Sequence, residues 1–474
     1  RDLGDNVGME IVVTHAMLAT WPPEAQATVR LLLNQVAELK AEVAELKARL
    51  AKDSTNSSRP PSAMHPHAKP SKQSIRKAKR RGGQPGHPKH ERALIPVEAC
   101  QAVVECIPDE CRQCGRELTG TDPEPLRHQV WELPEIKPLV TEYQRHRLIC
   151  VCGCSTCGVL PPGVPSGQAG PRLIAFSGLL MACFRQSKRR AAQFLGTILN
   201  QPASAAWMVR LQNRCSEAVK PAYDELAKQL PTQAVLNIDE SPTKEASAKA
   251  WVWTVVAGTF TFFACRTRRA GDVLANLLGA SYGGVIHCDR ARMYWQFGRL
   301  QWCWAHLKRD FQAWIDSPCP TKQRLGRDLM RPTLELFALW KKVRDGTLPR
   351  AQFLIDVRPI RTEIDALLLR GYFNALTASV CRELWERRGH LWTFLEVEGV
   401  EPTNNAAERA LRHAVIWRKL SFGTQSAGGS RFVERMLTVI ETTRRQGTSV
   451  FEWLTATVQA KLNGQTGPKL LVGV

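Results

Sequence analysis

The chain has 474 residues, of which 44% are hydrophobic, and its formal net charge is +21. This length exceeds one compact core and predicts roughly three domains. No apolar run approaches the ~20 residues of a membrane helix, which excludes a membrane-spanning protein. The excess of positive charge predicts a polyanionic partner, most often nucleic acid. The N-terminal residues lack the pattern of a secretory signal, which predicts a cytoplasmic location.

The N-terminal segment, residues 1–52, contains a predicted coiled coil over residues 24–52. Its apolar residues recur at heptad spacing, with valines at one position and leucines at the other: Val29, Leu32, Val36, Leu39, Val43 and Leu46. β-branched residues at a and Leu at d favour a parallel dimer. We therefore predict a homodimer or a higher oligomer, the alternative being one amphipathic helix packed on its own protein.

Residues 53–95 form a predicted basic, flexible linker rich in Ser, Asn, Pro and Gly. Between Lys69 and Arg92, nine Lys or Arg residues face a single acid. Such a segment can follow a phosphate backbone, and we predict that Arg80 and Arg81 contact DNA. The alternative is a solvated linker without a partner.

Residues 96–170 carry a cysteine cluster that predicts a small zinc-binding module. Two CxxC pairs about forty residues apart provide four candidate ligands for a structural Zn²⁺: Cys111, Cys114, Cys154 and Cys157. Cys150 and Cys152 are an alternative second pair. A closed four-cysteine site would fold the module without taking part in catalysis. The alternative is free thiols in a basic domain. Extended runs are also expected at 129–133 and 138–143.

Residues 171–230 are predicted to be a helical DNA-binding region. An apolar helical segment, 173–184, is followed closely by the basic residues Lys188, Arg189 and Arg190. Positive charge close to an apolar helix can contact phosphates, although it is equally compatible with a solvated helix end.

The next segments predict an α/β core interrupted by helices. Within residues 231–310, apolar runs at 233–239, 250–258 and 259–266 predict a three-stranded meander. A helix near 272–278 and strands at 284–289 and 299–305 follow. Residues 311–399 have helical periodicity and are predicted to be an insertion. Residues 400–474 are predicted to complete the core with further helices.

Three acidic residues in different settings are the candidate catalytic groups. Asp239 and Asp289 each end a short apolar run, and Glu408 lies at the start of an amphipathic helix. Hard carboxylate oxygens suit Mg²⁺ or Mn²⁺, which support phosphoryl transfer. Each acid alone has a structural explanation: a turn residue beside Glu240, an ion pair with a neighbouring arginine, or an intrahelical pair with Arg412.

Basic residues near the third acid are candidate DNA contacts. Arg409, Arg412, Arg418 and Lys419 follow Glu408 on the same helix. The sequence Cys303-Trp304-Ala305-His306 has metal-ligand spacing but no second pair nearby. We therefore predict that Cys303 is buried and that His306 faces the active-site cleft or the DNA.

Several motifs in this order resemble the insertion sequence 66 family of bacterial DDE transposases. Besides the heptads and cysteine pairs, they are Gly82-Gly83-Gln84-Pro85-Gly86-His87, Asp239-Glu240-Ser241-Pro242, Cys288-Asp289-Arg290, Cys303-Trp304-Ala305-His306 and Asn404-Asn405-Ala406-Ala407-Glu408-Arg409. The run Cys150-Val151-Cys152-Gly153 departs from the usual CxxCG of the family.

The resemblance implies a multidomain α/β protein with an RNase H-like catalytic domain and a helical insertion before Glu408. It implies Mg²⁺-dependent cleavage at the ends of a mobile element and strand transfer into double-stranded target DNA. Small accessory proteins of the same element and a nucleoid-associated bacterial location are also implied. The alternatives are a dimeric zinc-containing DNA-binding protein, a catalytically inactive domesticated element, or a nuclease or resolvase on the same fold.

Overall fold

The structure is a computed structural model that describes residues 20–50 and 92–471. These residues form a mixed α/β protein with a five-stranded sheet and many helices, in agreement with the predicted α/β class. The predicted DNA contacts Arg80 and Arg81 lie outside the described residues. No described helix is long and apolar enough to cross a membrane.

The first described element is a long, solvent-exposed helix, α1 (Pro23–Leu50). The apolar heptad residues that can be described remain largely exposed, for example Leu39 at 60% and Val43 at 45%. Helix α1 makes no extensive contact with another helix or strand of the described residues. Its apolar face is therefore available for another helix, as a coiled coil requires.

The cysteine-rich segment contains little regular structure. Strands β1 (Arg147–Ile149) and β2 (Ser155–Cys157) form a short antiparallel hairpin. The runs at 129–133 and 138–143 do not form strands, and their apolar side chains are exposed. The prediction of β structure there was wrong, because a strand requires a pairing partner as well as a suitable composition.

Three helices precede the sheet: α2 (Pro171–Ala182), α3 (Lys188–Ile198) and α4 (Ala205–Gln229). Ser187 and Ser204 cap α3 and α4 by accepting hydrogen bonds from backbone amides in the first turns. Helix α2 is apolar and packs between α4 and the C-terminal helix α13 (Val450–Leu462). These helices form a layer next to the sheet.

The central sheet has the spatial order β5-β4-β3-β6-β7. Its strands are β3 (Val235–Glu245), β4 (Ala248–Val256), β5 (Thr261–Arg266), β6 (Val285–Cys288) and β7 (Leu300–Trp302). The first three form the predicted antiparallel meander, whereas β6 is parallel to β3 and β7 is parallel to β6. Helix α5 (Gly271–Leu278) lies in the crossover between β5 and β6. The first and fourth strands are thus neighbours.

Helices flank both edge strands of the sheet. Helix α12 (Ala427–Gln446) lies along β5 and presents side-chain acceptors at intervals of one turn. The backbone amides of Thr261, Phe263 and Cys265 donate to the side chains of Thr442, Thr438 and Glu434 at 3.2, 2.9 and 2.7 Å. Helix α12 therefore satisfies an edge that would otherwise expose unpaired amides.

Five helices lie between β7 and the Glu408 helix: α6 (Trp304–Ile315), α7 (Pro320–Arg344), α8 (Arg350–Tyr372), α9 (Ala378–Glu386) and α10 (Gly389–Glu396). Helix α6 starts two residues after β7, so Trp304 and Ala305 are helical where a strand was expected. Helix α10 packs on β7, where the hydroxyl of Thr393 donates to the carbonyl of Leu300 at 2.6 Å. Helix α11 (Asn405–Ser421) then packs on β3 and β4.

Candidate active site

Asp239 and Asp289 are brought together by the parallel pairing of β3 and β6. The paired register ends with Asn237 opposite His287. If this register is continued by two residues, Asp239 falls opposite Asp289. Paired neighbouring strands lie about 4.8 Å apart, so the two residues are close. Strand β3 continues to Glu245, so Asp239 lies within the strand, paired with Thr254 of β4, and not at its end as expected, whereas Asp289 directly follows β6.

The neighbouring acid, Glu240, is engaged by other side chains. Its nearly buried carboxylate is 2.6 Å from the guanidinium of Arg269 and accepts a 2.7 Å hydrogen bond from the hydroxyl of Tyr294. Asp239, among the described residues, accepts only the backbone amide of Glu240, at 2.9 Å. The geometry therefore commits Glu240 to internal contacts and leaves Asp239 the more available acid.

Asp289 is not paired with the arginine beside it in the sequence. Arg290 turns away to Asp310 and Glu383, at 2.9 Å from each. The Asp289 carboxylate accepts the backbone amide of Ala291 at 2.9 Å and lies 3.6 Å from Arg269. The ion-pair partner of Asp289 is therefore Arg269 and not the adjacent Arg290.

Glu408 reaches the site from the first turn of α11. The residue at the N-cap position of this helix, Asn404, does not cap it with its side chain. Instead the Asn404 side-chain amide donates to the carbonyl of Ile238 at 2.7 Å, immediately before Asp239. Glu408 Oε1 lies 3.8 Å from both His306 Nδ1 and the Arg309 guanidinium. One hydrogen bond thus fixes the helix start to the strand that carries Asp239.

The carboxylates influence one another electrostatically. Burial raises the pKa of Asp239 well above its ordinary value, and the charges of Glu240, Asp289 and Glu408 raise it further. Burial also raises the pKa of Glu408, which nearby Arg309 and Arg412 partly oppose. Repulsion among oxygen donors is relieved when a divalent cation binds between them. Carboxylate oxygens are the donors that Mg²⁺ or Mn²⁺ prefers, although the ligand atoms of Asp239, Asp289 and Glu408 do not all lie within 4.8 Å of one another in the described structure.

The predicted basic contacts lie at several places. Lys188, Arg189 and Arg190 are exposed in the first turn of α3, Arg409 and Arg412 are exposed on α11, and Arg418 and Lys419 are half-buried near its end. The Arg418 guanidinium donates to the carbonyl of Pro242. His306 is half-buried and faces Glu408, so it lies at the acidic site. Of the predicted contacts that the structure describes, His306 is the one with a contact to an acid of the site.

A basic cleft of about 420 Å³ lies between α11 and α12. Its charged lining consists of Arg409, Arg412, His413, Glu441, Arg444 and Arg445. Burial lowers the pKa of Arg445, and the charges of Arg409 and Arg444 lower it further. Several like charges share this space with one carboxylate, which suits an anionic ligand such as a phosphate.

The cysteine pairs lie in two similar turns. The amide of Gly115 donates to the carbonyl of Cys111 at 2.9 Å, and the amide of Gly153 donates to that of Cys150 at 2.8 Å. Both glycines have positive φ, 69° and 82°, which a tight turn requires. Cys152 lies in the second turn, whereas Cys157 lies on strand β2. No three of these thiols form a cluster in the described residues.

In both turns the pKa of the first thiol is lowered by nearby donors. For Cys111 these are the amides of Gln113 and Cys114 and the Cys114 side chain. For Cys150 they are the amide and the side chain of Cys152. The first thiol of each turn thus lies in similar surroundings.

Four residues at this site were not singled out from the sequence as functional. Arg269 and Tyr294 hold Glu240, Arg309 lies near Glu408, and Asn404 connects α11 to β3. Asn404 falls within a quoted motif, four residues before Glu408, and Arg309 lies three residues after His306. Arg269 offered no local signal, because its position depends on the path of the chain after β5.

Comparison with known proteins identifies relatives of this chain. The sequence model described as "Transposase IS66 family" matches residues 166–431, more than half of the chain. A family of unknown function (DUF6444) matches residues 16–93. An uncharacterized protein, y4qI, from Sinorhizobium fredii is 25% identical over 413 residues, which cover 76% of this chain and 72% of that protein.

Proposed function

Because this chain belongs to the IS66 transposase family, we propose that it binds the ends of its insertion sequence, cuts the DNA and joins the 3′ ends to target DNA. Asp239, Asp289 and Glu408 are the proposed catalytic acids. The observation that supports this most directly is that Asp239 on β3 and Asp289 just after the neighbouring strand β6 follow one register, and that the helix carrying Glu408 is tied to β3 at Ile238.

The sheet topology supports an RNase H-like core. An antiparallel meander is followed by two parallel strands, and the fourth strand pairs with the first. The five helices α6–α10 then stand as an insertion between the second and third acids. This arrangement agrees with what the family resemblance implies.

The carboxylates of Asp239, Asp289 and Glu408 would hold Mg²⁺ or Mn²⁺. When bound, such ions activate a water or a 3′-hydroxyl and stabilise the leaving oxygen of the phosphodiester. Arg269 and Tyr294 keep Glu240 out of this set by binding its carboxylate. Arg309 lies close enough to Glu408 to orient it.

The DNA contacts proposed around this centre follow the distribution of positive charge. Arg409 and Arg412 line the basic cleft, and Arg185, in the loop before α3, lies 3.2 Å from His413 on α11. This contact brings the loop that precedes the exposed residues Lys188, Arg189 and Arg190 against α11. A phosphate backbone lying along α11 would thus meet residues from both segments.

The N-terminal parts would assist binding and assembly. Helix α1 would join two copies through its exposed heptad face, and the zinc module would be held by Cys111 and Cys114 with Cys150 and Cys152. The pair Cys154 and Cys157 is the alternative. Accessory proteins of the same element are further proposed partners.

A strand-transfer assay tests this function. Duplex oligonucleotides carrying the ends of the encoding insertion sequence are incubated with a target plasmid and Mg²⁺, and joined products are counted. We expect joining by the wild type, loss of at least about a hundredfold in Glu408→Gln, and unchanged gel-shift binding by both. Glu401→Gln, which changes an exposed acid before α11, is the matched control.

The outcomes separate the alternatives. Cleavage without joining indicates a nuclease or resolvase, and binding without cleavage under Mg²⁺ and Mn²⁺ indicates a DNA-binding protein. Joining at the normal rate by Glu408→Gln contradicts the assignment of that residue.

A further inference from the structure

Three side chains at the acidic site form a second set of candidate metal ligands. Among the described residues, Cys303, His306 and Glu408 are the group whose ligand atoms all lie within 4.8 Å of one another. Cys303 is the N-cap of α6, His306 lies in the first turn of that helix, and Glu408 lies in the first turn of α11. Two helix starts therefore direct a thiol, an imidazole and a carboxylate to one point.

The sulfur of Cys303 is surrounded by backbone donors. The amide of Asn404 donates to Sγ at 3.2 Å, and the amides of Ala305 and His306 also point towards it. Such donors stabilise a thiolate and commonly surround metal-bound sulfur. A cation that binds this sulfur would displace the thiol proton.

His306 has the properties of a ligand without a partner. Its Nδ1 atom is buried and has no hydrogen-bond partner among the described residues, although Glu408 Oε1 lies 3.8 Å away. An unpartnered imidazole nitrogen of this kind is a common metal ligand.

We propose that Cys303, His306 and Glu408 bind a thiophilic divalent cation such as Zn²⁺, and that this binding inhibits the enzyme. A thiolate, an imidazole and a carboxylate match the ligand preference of Zn²⁺, whereas Mg²⁺ prefers oxygen alone. Binding releases the Cys303 proton to solvent and forms a metal–sulfur bond. The fourth position of a tetrahedral ion would remain for water or a phosphate oxygen.

The inhibition follows from the shared ligand. Glu408 cannot serve the thiophilic ion and the proposed Mg²⁺ site in the same geometry, so occupation by Zn²⁺ withdraws one catalytic acid. The inhibitory part of the inference rests on the proposed function, whereas the binding part does not.

Cobalt absorption tests the binding. Full-length protein whose N-terminal cysteines have been loaded with Zn²⁺ is titrated with Co²⁺, and the near-ultraviolet thiolate-to-cobalt band is recorded. We expect one extra Co²⁺ and the band in wild type, no extra band in Cys303→Ser, and affinity weakened by roughly tenfold or more in Glu408→Gln. Cys381→Ser is the matched control, because Cys381 is also buried.

The proposal is overturned if folded wild type shows no thiolate-to-cobalt band. It is also overturned if Cys381→Ser loses the band to the same extent as Cys303→Ser. If Cys303→Ser does not fold, the Co²⁺ affinity of Glu408→Gln tests the site instead. An affinity equal to that of wild type would overturn the three-ligand set.

Inhibition is measured separately by adding Zn²⁺ to the strand-transfer reaction and normalising each protein to its own rate with Mg²⁺. Wild type should lose activity at Zn²⁺ concentrations that leave Cys303→Ser active, and equal inhibition of both overturns the inhibitory role. If no protein joins DNA, the proposed function fails while the cobalt band still decides the binding site.

Discussion

The side-chain amide of Asn404 donates a 2.7 Å hydrogen bond to the backbone carbonyl of Ile238, the residue directly before Asp239. The bond forms where β3 has separated from β6, so a carbonyl at the end of the paired region obtains its donor from the start of α11. The backbone amide of the same asparagine donates to Cys303 Sγ, and the amide of Cys303 donates to the carbonyl of Cys288 at 2.9 Å. Asn404 and Cys303 therefore link β3, at the residue before Asp239, to the end of β6, at the residue before Asp289.

Removal of this link should affect strand transfer more than DNA binding. In Asn404→Ala the buried carbonyl of Ile238 loses its donor, which costs about 1–3 kcal/mol, and Glu408 loses its fixed position. We expect joining to fall at least about tenfold, because displacement of a catalytic group by 1 Å can cost a hundredfold. Denaturant unfolding and strand transfer measure the two effects.

The adjacent Asn405→Ala is the control, since no hydrogen bond of the Asn405 side chain is present in the described structure. Equal losses in both variants would remove the special role of Asn404.

Neutralising Asp239 should stabilise the protein at neutral pH. The folded state raises the pKa of this carboxyl above 3.8, its ordinary value. The folded chain therefore binds the proton more tightly than the unfolded chain, and stability falls as pH rises from about 3.8 through the raised pKa. Asp239→Asn removes this loss of stability. The variant should therefore unfold at a higher denaturant concentration than wild type at pH 7, and its free energy of unfolding should depend less on pH.

The same variant tests metal binding. Mg²⁺ at a hundred times its Kd should stabilise wild type by about 2.7 kcal/mol and add little to Asp239→Asn. Asp345→Asn is a control of opposite sign, because hydrogen bonds from Thr347 lower the pKa of that exposed carboxyl. A less stable Asp239→Asn at pH 7 would contradict the electrostatic argument.

The contacts between α12 and β5 should be sensitive to loss of a single hydroxyl. Thr438→Val leaves the buried amide of Phe263 without an acceptor and should cost about 1–3 kcal/mol in the free energy of unfolding. Thr443→Val, also buried, removes a hydroxyl that bonds only within α12 and should cost less. Urea denaturation of both variants checks the difference.

Self-association through α1 should depend on one face of the helix. Leu39→Glu puts a charge on the heptad face and should reduce a dimer to a monomer. Ala41→Glu, which changes another exposed position on this helix, should leave the mass unchanged. Sedimentation equilibrium of the full-length chain distinguishes them, and a wild type that is already monomeric would exclude the coiled-coil dimer.

The zinc content should depend on particular cysteines. Elemental analysis should show one Zn²⁺ fewer per chain when Cys111 and Cys114 are both changed to Ser. Cys150→Ser should have the same effect, whereas Cys154→Ser should not, because Cys150 and Cys152 share the turn that resembles the first pair. The reverse result would assign the second pair to Cys154 and Cys157.

The sequence alone predicted the core strands well, because their short apolar runs have few alternative structures. Strands β3, β4, β5 and β6 overlap the expected segments, and the meander was expected from their spacing. The contacts that determine the site were not predictable in the same way. Arg269, which bridges Glu240 and Asp289, and Asn404 act through groups far away in the chain, and periodicity carries no information about such partners.

The flanked edges of the sheet bear on how copies of this protein can meet. On one side, side chains of α12 accept hydrogen bonds from the backbone amides of β5. On the other side, α10 packs against β7, and its Thr393 hydroxyl donates to the carbonyl of Leu300. A neighbouring molecule therefore finds no free strand to extend within the described sheet. Molecules crowded together on one stretch of DNA can thus associate through helices without polymerising through their strands.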